Sequence, residues 1–349
     1  MESLFGKLSH YTKQSFSVDD VRPMRILYSH VTEKSNGLQQ KLSVERESRV
    51  NVPVKHLEKS RQLIASSALS YSHSHIVMFW NLTYSHMYIN KMMDFRFNSN
   101  ICGSCSFSTQ KSKCDICNNS TCVGHYLDSD TLITPTTKYA LIESAKVLMS
   151  IVDSDDNYAY ALIRPPGHHS CVDHHEGFCI FNNVIMLYNY IRASRPNAGV
   201  LIFDWDFHHG NGTQSFVKQY NHEKLFFTSM HYYDGKSYPR TGDVSENTDH
   251  ILNIPFGKGE TDSAYLDKFT CIAKPFIEQH FNEIDTIIVS NGLDAHEDDP
   301  LGLGNLTKRS YVEIAKYFKK TGKKIYFVLE GGYNDQVISD VSDAIIGEF

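Results

Sequence analysis

Residues 202–214 read IFDWDFHHGNGTQ, and Val200 and Leu201 stand directly before them. Four apolar residues in a row, 200–203, describe a strand buried on both faces, the kind that a helix-covered parallel sheet contains. Side chains alternate along a strand, so Asp204, Asp206 and His208 project to one side at its C-terminal end, where open α/β sheets place their ligands. A carboxylate and an imidazole on one side make two thirds of a catalytic zinc set, and Gly210 and Gly212 let the backbone turn tightly beside it. A polar loop capping a strand would read the same way. The metal reading needs a third ligand from another strand end.

Three further segments offer partners. DTIIVS at 285–290 is an apolar strand, and the NGLDAHEDDPLG after it supplies Asp294, His296, Glu297, Asp298 and Asp299. ALIRPPGHHS, 161–170, ends a strand and delivers His168 and His169 on a loop stiffened by Pro165 and Pro166. Imidazole titrates near neutral pH, so beside a metal these two are candidates for a general base and its electrostatic partner. FVLEGGYN, 327–334, bends at Gly331 and Gly332 and can aim the Tyr333 hydroxyl inward as an oxyanion donor. Taken singly, each segment is also consistent with a solvated loop or a glycine turn.

Around these segments runs an α/β rhythm. Strands are expected at 25–30, 159–164, 200–204, 225–230, 285–290 and 324–329. Helices are expected at 56–70, 135–152 (capped by Thr134), 182–193, 263–279 and 306–320. With no repeat and no flexible linker, one α/β domain over residues 1–349 is expected. Of the 349 residues 41% are hydrophobic and 21% charged, which excludes a disordered or fibrous chain. A net charge of -6 gives no general attraction to nucleic acid or anionic membrane, although it suits a basic peptide such as a histone tail. No signal peptide and no 18-residue apolar run are seen, and the acceptor sequon at Asn211 would put a glycan inside the opening stretch. An intracellular protein, cytoplasmic or nuclear, is expected.

Read in order, RPPGHHS, GFCIFNN, DWDFHHGNGTQ, GLDAHEDDPLG and LEGGYN resemble the zinc-dependent histone deacetylase and acetylpolyamine amidohydrolase superfamily. The resemblance runs from about Asp128 to Tyr333, with fainter echoes at HMYI (86–89) and LYSH (27–30). It implies the arginase–deacetylase fold, a single domain with a central, mostly parallel sheet flanked by helices. It further implies a hydrolase that removes acetyl groups from acetyl-lysine, with zinc held by Asp206, His208 and Asp299. His169 then matches the general acid/base, His168 its electrostatic partner, Asp204 the residue that orients His168, and Tyr333 the catalytic tyrosine. Asp204, Asp206 and His208, with Ser229 and Met230, would line a monovalent-cation site for potassium. Gly177, Phe178 and Tyr238 fall at the walls of the acyl-lysine channel, and Asp130 falls where the family holds the substrate backbone.

Departures from the family pattern sharpen the reading. Asn211 replaces the aspartate that class I enzymes place behind the second histidine, and HHGNGTQ with LEGGYN follows the class II and bacterial style. Leu301 occupies the place of the acidic gatekeeper of dedicated polyamine deacetylases, and Tyr238 replaces a phenylalanine. An acetylpolyamine or other small-molecule deacetylase remains the alternative within the same chemistry, with a non-hydrolysing acyl-lysine reader beyond it. A cysteine-rich insertion at about 98–124 places Cys102, Cys105, Cys114 and Cys117 as two Cys-x-x-Cys pairs. In a reducing compartment that spacing points to a second, structural zinc.

Overall fold

A computed structural model of the protein describes residues 24–29, 45–93, 125–134, 136–220 and 224–349. In it every residue of Val200–Asp204 is buried. Val200 and Ile202 enter one apolar cluster, Leu201 and Phe203 another, as period-two alternation requires of a strand with two covered faces. Ten strands occur among the described residues: β1 (Arg25–Tyr28), β2 (Leu63–Ala65), β3 (His125–Tyr126), β4 (Leu132–Ile133), β5 (Tyr158–Leu162), β6 (Val200–Asp204), β7 (Leu225–Tyr232), β8 (Ile251–Phe256), β9 (Thr286–Asn291) and β10 (Lys324–Leu329). Eight form one sheet in the order β2-β1-β5-β10-β9-β6-β7-β8, and all its neighbours run parallel. β3 and β4 make a separate antiparallel hairpin.

One face is covered by the helices His73–Asn81, Thr137–Asp153 and Asn183–Ser194, which contribute Trp80, Leu148 and Ile191. Ser48–Leu57, Lys308–Lys320 and Asp335–Ile346 cover the other with Val54, Phe318 and Ile345. Side chains of this size each contribute about 1.5–3 kcal/mol when fully buried, so the two layers hold the sheet rigid. Asn182 caps Asn183–Ser194 by accepting the Ile185 N–H at 3.1 Å, while its amide nitrogen donates to Ser170 O at 3.2 Å. The helix start is thereby tied to the loop bearing the two histidines. No described helix is long and apolar enough to cross a membrane.

The α/β reading of the sequence holds, with local corrections. Residues 56–70 do not form a helix. The helix is Ser48–Leu57, with Val50, Val54 and Leu57 on its buried side, and Leu63–Ala65 that follows pairs with β1 as an edge strand. β8 is not among the strands expected from sequence; it lies at the edge of the sheet, where Pro255, a residue without an N–H, is tolerated. The helix expected from residue 135 begins at Thr137, and the Thr134 N–H donates to Thr137 Oγ1 at 2.8 Å. Residues 263–279 run as Asp262–Lys268 and Lys274–Gln279, joined by a π-turn at Phe269–Ala273. The cysteine-rich segment with Cys102, Cys105, Cys114 and Cys117 lies outside the described residues.

Candidate active site

Parallel strands end on the same side of the sheet, and β5, β10, β9 and β6 are direct neighbours. The loops that follow them therefore converge, although they are far apart in sequence. From β5 come His168 and His169, from β6 Asp206 and His208, from β9 Asp294 and Asp299, and from β10 Tyr333.

Asp204, fully buried at the end of β6, lies with Oδ2 3.0 Å from His168 Nδ1, so a carboxylate that can only accept holds that imidazole's Nδ1–H. Its other oxygen accepts the Asp206 N–H at 3.0 Å. Asp206 in turn accepts the Gly331 N–H at 2.8 Å and the His208 N–H at 2.9 Å. A Cβ at Gly292 or Gly331 would stand 2.0 or 2.4 Å from Asp206 Oδ2. The two glycines admit the carboxylate, and that close approach is why no larger residue can flank it.

His208 Nδ1 lies 2.9 Å from Asp294 Oδ2 and 3.2 Å from Asp206 Oδ1. Asp206, His208 and Asp294 present ligand atoms that all lie within 4.8 Å of one another. Two buried carboxylates and an imidazole converging at this range suit a divalent cation of intermediate softness. The sequence reading put Asp299 third in the ligand set. The tightest set has Asp294 there, and Asp299 instead accepts the Tyr333 N–H at 2.6 Å and the Leu301 N–H at 2.9 Å.

The electrostatics separate the histidines. Burial works against protonation of His168, but Asp206 and Asp204 outweigh it and carry its pKa to about 10. His169 moves the other way, well below the ordinary imidazole value, through burial and then through repulsion by His168 and His208. His208 also rises to about 10, the hydrogen bonds to Asp206 and Asp294 overcoming burial. Asp206 is held far below the usual carboxylate range because His168 and His208 overcome its burial, while burial and then Asp206 lift Asp294 to about 7. The His168 and His169 rings sit 4.0 Å apart, and His169 Nδ1 is 2.6 Å from Asn211 Oδ1.

Aromatic side chains line the approach. The Phe178 ring is 5.7 Å from that of Tyr333, and the Tyr238 ring 4.9 Å from His169. A Cβ at Gly177 would stand 2.5 Å from both the Tyr238 hydroxyl and His169, and φ is +56° there and +66° at Phe178. The backbone strain at Phe178, roughly 1–3 kcal/mol, is held in part by its N–H donating to Thr131 Oγ1 at 3.1 Å. Asp130 lies near the mouth, raised to about 6 by burial and then by Asp128. Leu301 is 39% exposed, and its N–H donates to Asp299 Oδ1 at 2.9 Å. Ser229 pairs with Asp204 in register, and Ser229 and Met230 are fully buried.

Three supporting residues escaped the sequence reading. Arg49 lies 4.8 Å from the centre of the Tyr333 ring and donates to Gly332 O at 2.6 Å and to Glu330 O. Glu330 accepts the Gly167 and His168 N–H groups at 2.5 and 3.1 Å, fixing the histidine loop. Glu176 accepts from the Asn211 amide. Glu330 alone had a local signal, its place in the LEGGYN stretch.

A family described as the histone deacetylase domain matches residues 43–349. Histone deacetylase 6 of Caenorhabditis elegans is 36% identical over 235 residues, 63% of this chain and 24% of that protein. The chain thus spans about a quarter of that relative's length. Among solved structures, the HD domain of HDA15 has a TM-score of 0.71 at 24% identity, covering 92% of this chain and 90% of that one. An acetylpolyamine aminohydrolase from Burkholderia pseudomallei has a TM-score of 0.71 at 20% identity, over 93% and 98%. At these identities the two structures speak for the fold, the parallel α/β sheet described above. The family match covers most of the chain, and the protein belongs to the histone deacetylase domain family.

Proposed function

We propose that the protein is a zinc-dependent amidohydrolase of class II type that removes acetyl groups from acetyl-lysine in histones or other proteins, and so acts in chromatin regulation. The observation that carries this reading is the geometry of two touching imidazoles beside the Asp206, His208 and Asp294 cluster, His168 held by Asp204 at 3.0 Å and His169 by Asn211 at 2.6 Å, an arrangement that drives their pKa values up and down respectively. Titratable neighbours driven apart in this way divide into a charged stabiliser and a neutral base. Asp206 and His208 would hold the zinc with one carboxylate of the β9 loop, Asp294 by proximity or Asp299 by family resemblance. The chemistry supplied by zinc when bound is polarisation of the acetyl carbonyl and acidification of water.

The remaining roles belong to the protein's own groups. His169, neutral and with Nδ1–H directed at Asn211 Oδ1, keeps Nε2 free to take a proton from the attacking water. It then returns that proton to the leaving amine. His168, charged and fixed by Asp204, stabilises the negative charge that develops on oxygen as water adds to the acetyl carbon. Burial raises the Tyr333 hydroxyl far above its ordinary pKa, so it stays protonated and donates to the oxyanion. Phe178 and Tyr238 flank the uncharged acyl-lysine stem, Gly177 makes room for Tyr238 and His169, and Asp130 takes a substrate backbone N–H at the mouth. Asp204, Asp206, His208, Ser229 and Met230 are assigned to a potassium ion, a role supported by the pairing of Asp204 with Ser229.

One observation favours an acetylpolyamine instead. Glu176, Asp130 and Asp128 all act on Tyr238 at the channel wall, and such a negative mouth attracts a cationic amine. Leu301, in the place of an acidic gatekeeper, removes one such attraction. Turnover of an acetyl-lysine peptide should be measured beside that of N-acetylputrescine, with Asp206→Ala and Tyr333→Phe as controls. Peptide turnover lost in Asp206→Ala and reduced about 10²- to 10³-fold in Tyr333→Phe is expected. Turnover of the polyamine alone would transfer the assignment to small-molecule metabolism.

A further inference from the structure

The loop between the two histidines and Phe178 reads SCVDHHEGF, residues 170–178; the catalytic roles above use neither Cys171 nor His174, and Glu176 enters only as the partner of Asn211 and as a negative charge beside Tyr238. Their ligand atoms lie within 4.8 Å of one another. The loop is closed by its own backbone, with the Cys171 N–H donating to His174 O at 3.0 Å and the Cys179 N–H to Glu176 O at 2.9 Å. The backbone that carries the three side chains is therefore held, and the Cys171 thiol donates to His169 O at 3.7 Å, a bond that metal binding would replace. Asp173 Oδ1 lies 2.8 Å from His174 Nδ1, and a carboxylate holding one ring nitrogen aims the other outward as a ligand. A thiolate, an imidazole and a carboxylate balance a divalent charge to within one unit, and the sulfur selects zinc over magnesium or calcium.

Glu176 faces a second way. Its Oε1 accepts from Asn211 Nδ2, and Asn211 Oδ1 faces His169 Nδ1 at 2.6 Å. An amide has one accepting end and one donating end, so an anion on the nitrogen end compels the oxygen end toward His169. That orientation places the imidazole proton on Nδ1 and leaves Nε2 as the base. Were Glu176 drawn away, the amide would be free to turn. With Nδ2 toward the ring the proton moves to Nε2, the acceptor becomes Nδ1 on the Asn211 side, and Nε2 can no longer take a proton from the attacking water.

We infer that Cys171, His174 and Glu176 form a second, inhibitory zinc site, in which the metal takes Glu176 from Asn211 and so removes the orientation of His169. The inhibitory half rests on the deacetylase reading above, whereas the binding half stands without it. Binding replaces the Cys171 S–H bond by a sulfur–metal bond and releases the proton to solvent.

The test uses the full chain, Cys171→Ser and His174→Ala, all checked for native circular dichroism. Zinc per chain is counted by equilibrium dialysis, and acetyl-lysine peptide turnover is followed as free zinc increases beyond the amount needed for maximal rate. One fewer zinc per chain is expected in both variants. Each should also need at least about tenfold more zinc for half-inhibition of its own maximal rate, with the wild-type loss falling on kcat rather than KM. Equal zinc counts in all three proteins would overturn the site. Fewer zincs with superimposable inhibition curves would overturn its coupling to His169. One fewer zinc in both variants of a chain that turns over no acetylated substrate would uphold the site and count against the deacetylase reading instead.

Discussion

Asp299 accepts the backbone N–H of Tyr333 at 2.6 Å, so a carboxylate from the β9 loop fixes the height of the tyrosine delivered by β10. Asp294, five residues earlier, lies instead against His208 at 2.9 Å. The two acids of one loop thus divide between tyrosine and imidazole. If Asp294 is the ligand, Asp294→Asn should release zinc at chelator concentrations that leave Asp299→Asn loaded. If Asp299 is the ligand, the order reverses, and the Asp294 variant loses about 10- to 100-fold in affinity by freeing His208 to reorient. Zinc content after dialysis against graded chelator reads the difference.

The acid limb of the pH–rate profile should lie below pH 6.5. The base must be neutral, and burial together with His168 and His208 depresses His169, so protonation silences it only in more acidic solution. Asn211→Asp places an anion 2.6 Å from the ring and favours the charged imidazole. The limb should then move to higher pH, measured as kcat/KM on an acetyl-lysine peptide. An unmoved limb would assign it to another group.

Gly331→Ala or Gly292→Ala puts a methyl within 2.4 Å of Asp206 Oδ2. The carboxylate must shift, since the two loop ends are tied together just beyond the strands, with the Leu293 N–H donating to Gly331 O at 3.2 Å. We expect zinc loss and a fall in activity of at least about 100-fold, the scale set by a 1 Å misplacement at a reacting centre. Far-ultraviolet circular dichroism should stay unchanged, because the collision is confined to the loop ends.

Glu45 is buried and holds Arg164 at 2.9 and 2.7 Å and Arg49 at 3.3 Å. Burial would raise its pKa, but the two guanidinium groups more than offset it and leave it lowered. A lowered folded-state carboxylate contributes stability above its unfolded pKa, and that stability is lost as pH falls through the folded one. Glu45→Ala leaves two buried cations without their anion and should cost about 3–5 kcal/mol in urea unfolding at pH 7. The gap between wild type and variant should narrow below about pH 4.

Much of this was legible because buried parallel strands are written as unbroken apolar runs. The runs 200–203 and 325–329 declare their strands and place His208 and Tyr333 just past strand ends. His168 and His169 are legible because their neighbours PPG and HHS belong to an ordered set of family motifs. Arg49 was not, since one arginine in a polar stretch says nothing of Gly332, 283 residues away, whose carbonyl it holds. The competition between Asp294 and Asp299 was equally hidden, because both follow one strand and only distance separates them. The expected helix at 56–70 failed for a related reason: LIA at 63–65 reads as a helix end until β1 is there to pair with it.

The sheet order carries a consequence for synthesis. β5 and β6 precede β9 and β10 along the chain, yet β10 and β9 stand between them in the sheet. His168 and Asp204 therefore cannot settle at 3.0 Å until the C-terminal strands have inserted. Before that moment the nascent chain carries histidines and carboxylates that are spread apart and poor at capturing a cation. Metal loading belongs to the finished sheet, and an arrested chain ending before β9 should be born without it.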